Sequence, residues 1–292
     1  MKRLYSNKLV IFSLVIPGIL VFVFAILAPI ALSVYYGFTD YSGMGKATFI
    51  GMDNYKQLVK DQVFHKSLLN SLFLAIGFIA IQHPIAIIVA AVLDKLQGKA
   101  EGIFRCIYFI PNVISVAVIA YLWKFIYNPD FGLLNNVLKM FGYTEKINWF
   151  STDLAIWSVL IVLIWHGFGW GMLIYYTGIK NIDPVLYEAA SIDGANGRKA
   201  FLRITLPLMK PVIQINVTMA IISALKQMET VYLLTNGGPG NSTQFAANYL
   251  YKQAFKAFQY GYGNAIGVVF IIICLIVTVG LNKLFADRKV VA

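Results

Sequence analysis

Two carboxylates, Glu188 and Asp193, lie in a polar, basic insert, Glu188–Pro211, that separates two long apolar stretches of this chain. Acidic side chains at such a spacing can act as a general acid and a general base. They can also stabilise the unpaired N–H groups at a helix start. We favour the structural role, because Ala189 and Ala190 beside them leave room for a close approach by another surface. The insert is therefore expected to be a docking surface rather than a catalytic centre.

The residues around these two acids predict a pair of short helices. Asp183 can cap the first helix, and Pro184 fits its first turn, where a missing N–H costs nothing. Gly194 stands where a residue in the left-handed conformation would end that helix. A second helical piece is expected to begin at residues 198–204, before two prolines restrict the backbone. The segment 183–207 should therefore fold as a compact unit between two apolar runs.

The residue types do not predict a nucleotide site or a metal site. A P-loop needs the pattern Gly-x-x-x-x-Gly-Lys-Ser/Thr to wrap phosphates, and neither Gly45-Lys46 nor Gly197-Arg198 supplies it. Both cysteines lie in apolar runs, so a disulfide framework or a thiolate metal site is not expected. The three histidines are too widely spaced for a metal motif. We predict no catalytic residue, no metal and no cofactor in this chain.

The composition indicates a polytopic membrane protein. Hydrophobic residues make up 59% of the 292 residues and charged residues only 13%, whereas a soluble domain carries about 25% charged residues. This length accommodates about six spans of roughly 20 residues. We therefore predict an all-α fold with transmembrane helices at about 10–36, 67–93, 104–127, 154–180, 208–234 and 263–285. Lys226 and Glu229 interrupt the fifth of these runs.

The basic residues predict the orientation of the chain. Short cytoplasmic loops are enriched in lysine and arginine, so the net charge of +11 indicates membrane lipid, not nucleic acid, as the partner. With both termini in the cytoplasm, more than half of the 24 basic residues fall in short inner segments. These are Lys2, Arg3, Lys8, Lys95, Lys99, Arg105, Lys180, Arg198, Lys199, Arg203, Lys210, Lys283, Arg288 and Lys289.

The insert also carries a family resemblance. Its spacing of Glu-Ala-Ala, Asp-Gly-Ala and a final Leu206-Pro207 resembles the EAA loop of ABC importer permeases. In that family the loop is a coupling helix that sits in a cleft of the ATPase subunit. The resemblance implies a type I importer permease with one transmembrane domain over residues 1–292, and it implies ATPase-docking positions at Glu188, Ala189, Ala190, Asp193, Gly194 and Ala195.

Further segments resemble permeases of the maltose and glycerol-phosphate type. They are Leu234–Pro239 with Ser242-Thr243, and Phe104-Arg105 with Phe109, Pro111, Trp123, Phe131-Gly132 and Asn135. This subgroup implies a sugar or oligosaccharide substrate. It also implies a prokaryotic cell-membrane location and an assembly with a second homologous permease, two ATPase subunits that bind ATP and Mg, and an extracytoplasmic sugar-binding protein. A permease for a non-sugar solute and a secondary transporter are the alternatives, although neither an inverted repeat nor a coupling-ion site is evident.

The same resemblance suggests which residues line the sugar path. Counted back from the Glu-Ala-Ala motif, Trp165 and Trp170 match substrate-facing positions, and Ser223 and Gln227 align with lining positions of the next span. Trp165→Ala is therefore expected to weaken uptake. The two indoles are about 140° apart around a helix, so they cannot share one narrow face.

Two histidines lie inside apolar runs, and their roles stay open at this point. His83 precedes Pro84 and could form a hydrogen bond at a kink or bind a ligand, and His166 beside Trp165 could line a cavity. Lys226 and Glu229 could lie at the outer edge of the membrane. Charged groups in the middle of a bilayer are costly, so these groups should face protein or water.

The orientation makes a direct prediction about accessibility. A cysteine introduced as Asn196→Cys should react with membrane-impermeant reagents only from the cytoplasmic side, because its loop is short and basic. Labelling of intact cells and of opened membranes measures this difference. Labelling from outside in intact cells would contradict both the orientation and the coupling assignment.

Overall fold

The structure, a computed structural model, describes residues 8–286 apart from 97 and 196, with side chains from 12 to 283. The predicted Lys2, Arg3, Asn196, Arg288 and Lys289 positions lie outside the described residues. Within them the fold is helical, and the only paired extended residues form an isolated antiparallel bridge between Thr39 and Phe49. The all-α prediction is confirmed.

The helices follow the apolar runs of the sequence. They are α1 (Lys8–Phe22), α2 (Ala28–Gly37), α3 (Asp53–Lys60), α4 (Gln62–Gly77), α5 (His83–Lys95), α6 (Lys99–Val113), α7 (Val116–Ile126), α8 (Leu133–Met140), α9 (Ala155–Lys180), α10 (Pro184–Ile192), α11 (Gly197–Ala200), α12 (Leu206–Leu208), α13 (Lys210–Leu225), α14 (Glu229–Leu234), α15 (Ala246–Tyr251) and α16 (Tyr260–Ala286). Short π-helical turns occupy Val23–Leu27, Phe78–Gln82, Phe201–Thr205 and Lys252–Lys256.

Four of these helical stretches are long and apolar enough to cross a membrane without interruption. They are Phe12–Gly37, Gln62–Lys95, Ala155–Lys180 and Tyr260–Lys283. Two further candidates are bent pairs, which bring the number of spans to as many as six. The sequence predicted six spans, and the structure adds that two of the candidates are bent.

The break in the third candidate span follows from its local sequence. α6 and α7 meet at an angle of 97°. Pro111 in the last turn of α6 cannot donate a backbone hydrogen bond. Ser115 then caps α7, with its hydroxyl oxygen accepting from the N–H of Val118 at 3.4 Å. The continuous helix predicted for 104–127 is therefore two helices.

The fifth candidate span is also interrupted. The helical stretch Gly197–Leu208 and α13 meet at 67°, and Pro211 stands in the first turn of α13. At its other end α13 stops at Leu225, and α14 begins only at Glu229. The run predicted for 208–234 therefore ends early, and Lys226 and Glu229 lie on either side of the break rather than on one helix face. Both side chains are exposed.

Internal contacts divide the chain into two units, of which the larger comprises Gln62–Tyr249 and the described residues from Ile276 onward. Its core forms where α5 packs along α9, with Ala86, Ala90, Met172 and Tyr175 fully buried. Small residues allow such helices to approach closely in a membrane protein. Gly169 shows this at the α6 contact, where an added Cβ would collide with the carbonyl oxygen of Tyr108.

A buried asparagine holds the loop before α15 in the larger unit. The side-chain amide of Asn70 in α4 donates to the carbonyl oxygens of Ser242 at 3.0 Å and of Gln244 at 2.9 Å. Ser71 accepts from the N–H of Ala246 at 3.2 Å. Backbone groups buried without partners are costly, so these bonds explain how a polar loop folds against an apolar helix.

The smaller unit contains the described residues up to Asp61 together with Leu250–Leu275. The amide of Asn54 in α3 donates to the carbonyl oxygens of Gly37 at 2.9 Å and of Thr39 at 2.8 Å. The hydroxyl of Tyr262 donates to Asp61 at 2.5 Å. Polar side chains therefore fix the chain where α2 ends. The single transmembrane domain inferred from the sequence stays a prediction.

The close contact at Gly169 predicts a steric effect on stability. Gly169→Ala places a methyl group against the backbone of α6, and overpacking of this kind costs about 1–3 kcal/mol. The purified protein should therefore lose several degrees of thermal stability in detergent. Gly280→Ala on α16 is the matched control, because a Cβ there meets nothing within 4 Å. Equal melting temperatures for the two variants would contradict this account of the packing.

Candidate functional site

The coupling segment, residues 183–207, folds as the sequence predicted. The carboxylate of Asp183 accepts from the N–H of Val185 at 3.0 Å, and Pro184 is the first residue of α10. The helix ends with the N–H of Ala195 bonded to the carbonyl of Ala190 at 2.9 Å and that of Gly194 to Ser191 at 3.1 Å. This pair of bonds is the Schellman arrangement, which needs a left-handed residue at its centre.

Gly194 is that residue, with a φ of 73°. A side chain there would meet open space, so the backbone conformation alone favours glycine at this position. The chain turns at Gly194 and continues into the helical stretch Gly197–Leu208. Two short helices therefore follow one another as expected, although the second includes the π-helical turn Phe201–Thr205.

α10 presents a mixed apolar and acidic surface. Glu188, Ala189, Asp193 and Gly194 are exposed, while Ala190 and Ala195 are half-buried. The sequence analysis did not identify three apolar side chains that are also exposed here, namely Val185 at 61%, Leu186 at 44% and Ile192 at 86%. Val185, Ala189 and Ile192 follow helical spacing, which could have revealed them as one face. An exposed apolar face with acidic neighbours is typical of a protein-binding surface.

A hydrogen bond connects the two short helices of the coupling segment. The hydroxyl of Tyr187 in α10 lies 2.9 Å from the Thr205 hydroxyl. Thr205 is only 4% exposed, whereas Tyr187 is half-buried. A displacement of α10 would therefore be transmitted to the start of α13, which follows Thr205 by a few residues.

A charged cluster joins three helix ends next to the coupling segment. Tyr176 of α9 donates its hydroxyl hydrogen to the carboxylate of Glu101 in α6. Arg105 lies 3.6 Å from Glu101 and 5.1 Å above the centre of the Tyr176 ring. On the other side Lys180 lies 5.5 Å from that ring and 2.9 Å from Asp94 of α5. Cations on an aromatic face add to the ion pairs, so α5, α6 and α9 are held together where α9 leads into α10.

A cavity of about 440 Å³ lies among α5, α6, α9 and α13. Three of the four sequence-predicted path residues, Trp170, Ser223 and Gln227, line it. The lining also includes His83 and His166, whose roles the sequence left open. The polar lining residues are Gln82, His83, Asn112, His166, Asn216, Ser223 and Gln227, and no aspartate, glutamate, lysine or arginine is among them.

Several polar atoms of this lining have no partner within the described chain. They are Oε1 of Gln82, Nε2 of His83 and Nδ2 of Asn112. Gln82 and His83 are only 7% and 3% exposed. Buried polar groups are almost always hydrogen-bonded. The three atoms are themselves buried, so a polar, uncharged ligand in the cavity would pair with them only after their side chains turn towards it.

His83 has one ring nitrogen already engaged. Its Nδ1 lies 2.6 Å from the hydroxyl of Tyr175 in α9. The amide of Asn216 in α13 likewise donates to the carbonyl of Gly171 at 3.1 Å, which joins α13 to α9 beside the cavity. Gln82, Asn112 and Asn216 were not identified from the sequence, because a single polar residue in an apolar run does not reveal which helices it will face.

Trp165 lies on a different surface from Trp170. It lines a second cavity of about 580 Å³ with apolar neighbours that include Trp157, Ile161 and Phe168. Its ring packs edge to face on Trp123, with centroids 5.6 Å apart. The two indoles thus do not share one face, as their spacing on α9 predicted. The assignment of Trp165 to a sugar path stays a prediction, and only Trp170 lies beside the polar groups.

Known proteins resemble this chain along most of its length. Residues 82–291 match the family described as binding-protein-dependent transport system inner membrane component. The probable ABC transporter permease protein YurN of Bacillus subtilis (strain 168) is 37% identical, covering 97% of this chain and 98% of that protein. The arabinooligosaccharides transport system permease protein AraP of the same organism is 32% identical, covering 98% and 91%.

The fold is also similar to solved structures. A crystal structure of a bacterial ABC transporter involved in the import of the acidic polysaccharide alginate contains a chain that matches with a TM-score of 0.85. The match covers 99% of this chain and 98% of that one at 22% sequence identity. At this level of identity the likeness establishes a shared fold.

Proposed function

The chain belongs to the family of inner membrane components of binding-protein-dependent transport systems, and on this premise we propose that its polar cavity conducts a neutral sugar or oligosaccharide. It is a permease subunit of an ABC importer, a family in which the ATPase is a separate subunit. The resemblance drawn from the Glu-Ala-Ala and Asp-Gly-Ala spacing is thereby confirmed. Family membership also removes the alternative of a secondary transporter.

The composition of the cavity lining is the observation that carries the proposed substrate class. Sugars offer hydroxyl groups for hydrogen bonds and C–H faces for stacking on aromatic rings. The lining supplies amide, imidazole and hydroxyl groups beside the exposed indole of Trp170. A buried cavity that held an acidic sugar would need cations to balance the charge, and no lysine or arginine lines this one. A neutral carbohydrate is therefore favoured over an acidic one on this subunit.

The names of relatives support the same class. AraP is named for the transport of arabinooligosaccharides and resembles this chain over nearly its whole length. The matching solved structure is titled for alginate, an acidic polysaccharide. Both names thus refer to chains of linked sugars, but only alginate is described as acidic. Because no charged residue lines the polar cavity of this chain, we assign it a neutral carbohydrate as substrate.

Coupling to ATP hydrolysis is assigned to the coupling segment. Its acidic and apolar surface on α10 would sit in a cleft of an ATPase subunit that binds ATP and Mg. Glu188 and Asp193 would act as docking groups rather than as catalysts, because both are exposed and lie on an apolar-lined protein surface. Movement of this helix reaches the cavity by two routes, directly through α9 and through the bond between Tyr187 and Thr205 into α13.

The proposed assembly contains a second homologous permease, two ATPase subunits and an extracytoplasmic sugar-binding protein. The permease is an integral membrane protein that works with a binding protein, as its family description states. The most apolar window of the first span, within Phe12–Gly37, has no buried residue. A second permease subunit would cover part of that surface. We place both termini in the prokaryotic cytoplasm, on the basis of the basic residues.

The two tryptophans give a matched test of the path. In the reconstituted complex, Trp170→Ala should lower sugar uptake about five-fold, because stacking on an aromatic ring is worth about 1 kcal/mol. Trp165→Ala removes an indole of equal size from the apolar surface, and its uptake decides whether the sequence-based assignment of Trp165 holds. Assembly and basal ATP hydrolysis should be unchanged in both variants.

The same complex tests the substrate class. Neutral oligosaccharides delivered by the binding protein should stimulate ATP hydrolysis, whereas oligosaccharides of uronic acids should not. Stimulation by uronates alone, or by a solute that is not a sugar, would overturn the proposed class. Normal uptake by Trp170→Ala together with reduced uptake by Trp165→Ala would show that the sugar path follows the apolar surface around Trp165 instead.

The left-handed glycine gives a test of coupling. Gly194→Val penalises the observed φ by about 1–2 kcal/mol without a steric clash, so α10 should lose its defined end while the spans still insert. Sugar-stimulated ATP hydrolysis and transport should fall together. Gly194→Asn is the matched control, because asparagine tolerates the left-handed region better than β-branched residues do. Normal stimulated hydrolysis in Gly194→Val would argue against the docking role.

A further inference from the structure

A third cavity, of about 470 Å³, lies between the last two turns of α5 and the coupling segment. We refer to it as the inner cavity. Ile88, Val92 and Lys95 of α5 form one wall, and Tyr187, Arg198 and Phe201 of the coupling segment form the other. None of these groups lines the polar cavity proposed for sugar, although Tyr187 takes part in the proposed coupling route. The inner cavity is separate from the polar cavity, with which it shares no lining residue.

Two cations stand at one end of the inner cavity. Lys95 is the last residue of α5, and its ammonium lies 3.5 Å from the position of a Cβ built on Gly197, next to Arg198. In the part of the chain that the structure describes, neither Lys95 nor Arg198 forms an ion pair with an acidic group. Asp94 also lines the cavity, but it is paired with Lys180 at 2.9 Å. Both cations are exposed and have no ion-pair partner among the described residues, so they are available to a negatively charged group.

Most of the remaining lining of the inner cavity is apolar. Ile88 and Val92 are each 56% exposed. Ile88 lies seven residues before Lys95, which corresponds to about 10 Å along the helix towards the middle of the span. The inner cavity therefore combines a cationic end at the edge of a span with an apolar wall that extends along the span. A free phosphate or a nucleotide would use only the cationic end.

We propose that the inner cavity binds one anionic phospholipid of the cytoplasmic leaflet. The phosphate and net negative headgroup lie between Lys95 and Arg198, and an acyl chain follows Ile88 and Val92. Basic pockets between helices on the cytoplasmic side are suited to acidic headgroups. The bound lipid would brace the coupling segment against α5, since Tyr187 and Phe201 form the opposite wall.

The test uses the complete transporter in nanodiscs, made either of equal parts of phosphatidylglycerol and phosphatidylcholine or of phosphatidylcholine alone. Native mass spectrometry of the released complex counts the retained lipids. The wild type should retain phosphatidylglycerol in preference to phosphatidylcholine. The double variant Lys95→Gln with Arg198→Gln should bind it about 25-fold more weakly, at about five-fold for each cation.

Two controls separate the site from general charge effects. Lys139→Gln with Lys146→Gln removes the same charge from the loop around α8, far from the inner cavity in sequence, and should retain the lipid. Val92→Trp fills the apolar wall without changing charge, and it should also lose the lipid. Loss in both cavity variants and retention in the loop variant supports the proposal.

Three results would overturn the proposal. The first is equal retention of phosphatidylglycerol by the wild type and the double variant. The second is equal retention of the two lipids by the wild type. The third is efficient crosslinking of Val92→Cys to another subunit, which would mean that protein fills the inner cavity. Sugar-stimulated hydrolysis in phosphatidylcholine alone reports the transport function independently, so the lipid site and the sugar path can fail separately.

Discussion

The close packing of α9 against its neighbours is the interaction on which the rest of the structure depends. This helix of 26 residues is continuous, whereas the candidate spans on either side of it in sequence are bent. Glycine and alanine at the contacts let α5 and α6 approach it closely, so its position is fixed by backbone and small side chains. A helix held in this way cannot tilt independently of α5 and α6.

That constraint connects the polar cavity to the segment that we propose docks on the ATPase. Trp170 and the cavity histidine His166 lie in the middle of α9, and Lys180 lies at its end, about 15 Å from Trp170 along the axis. Three residues after Lys180 the coupling segment begins with Asp183, followed by α10. The cluster around Tyr176 then ties the same end of α9 to α5 and α6. Displacement of α10 is therefore passed to a group of three helices.

Burying polar side chains inside membrane spans costs free energy, so such residues usually mark a functional site. Gln82 and His83 carry buried atoms without a partner, in a segment where the helix passes through a π-helical turn. π-Helical turns are frequent at functional sites, and polar groups within a span mark substrate pathways.

The sequence by itself determined the helical class, the membrane location, the family and the fold of the coupling segment. These depend on local information: apolar runs long enough to span a bilayer, an aspartate cap, a proline in the first turn and a glycine that adopts a positive φ. The tertiary structure decided which side chains share a cavity. Trp165 and Trp170 look equivalent in sequence, yet Trp165 packs on Trp123 of α7, whereas Trp170 lines the polar cavity together with Gln227. The partners of Asn216 and Tyr176 likewise depend on helices distant in sequence. The local sequence determines the secondary structure of a segment. The packing of the whole chain determines which other segments it contacts, and no single segment encodes that packing.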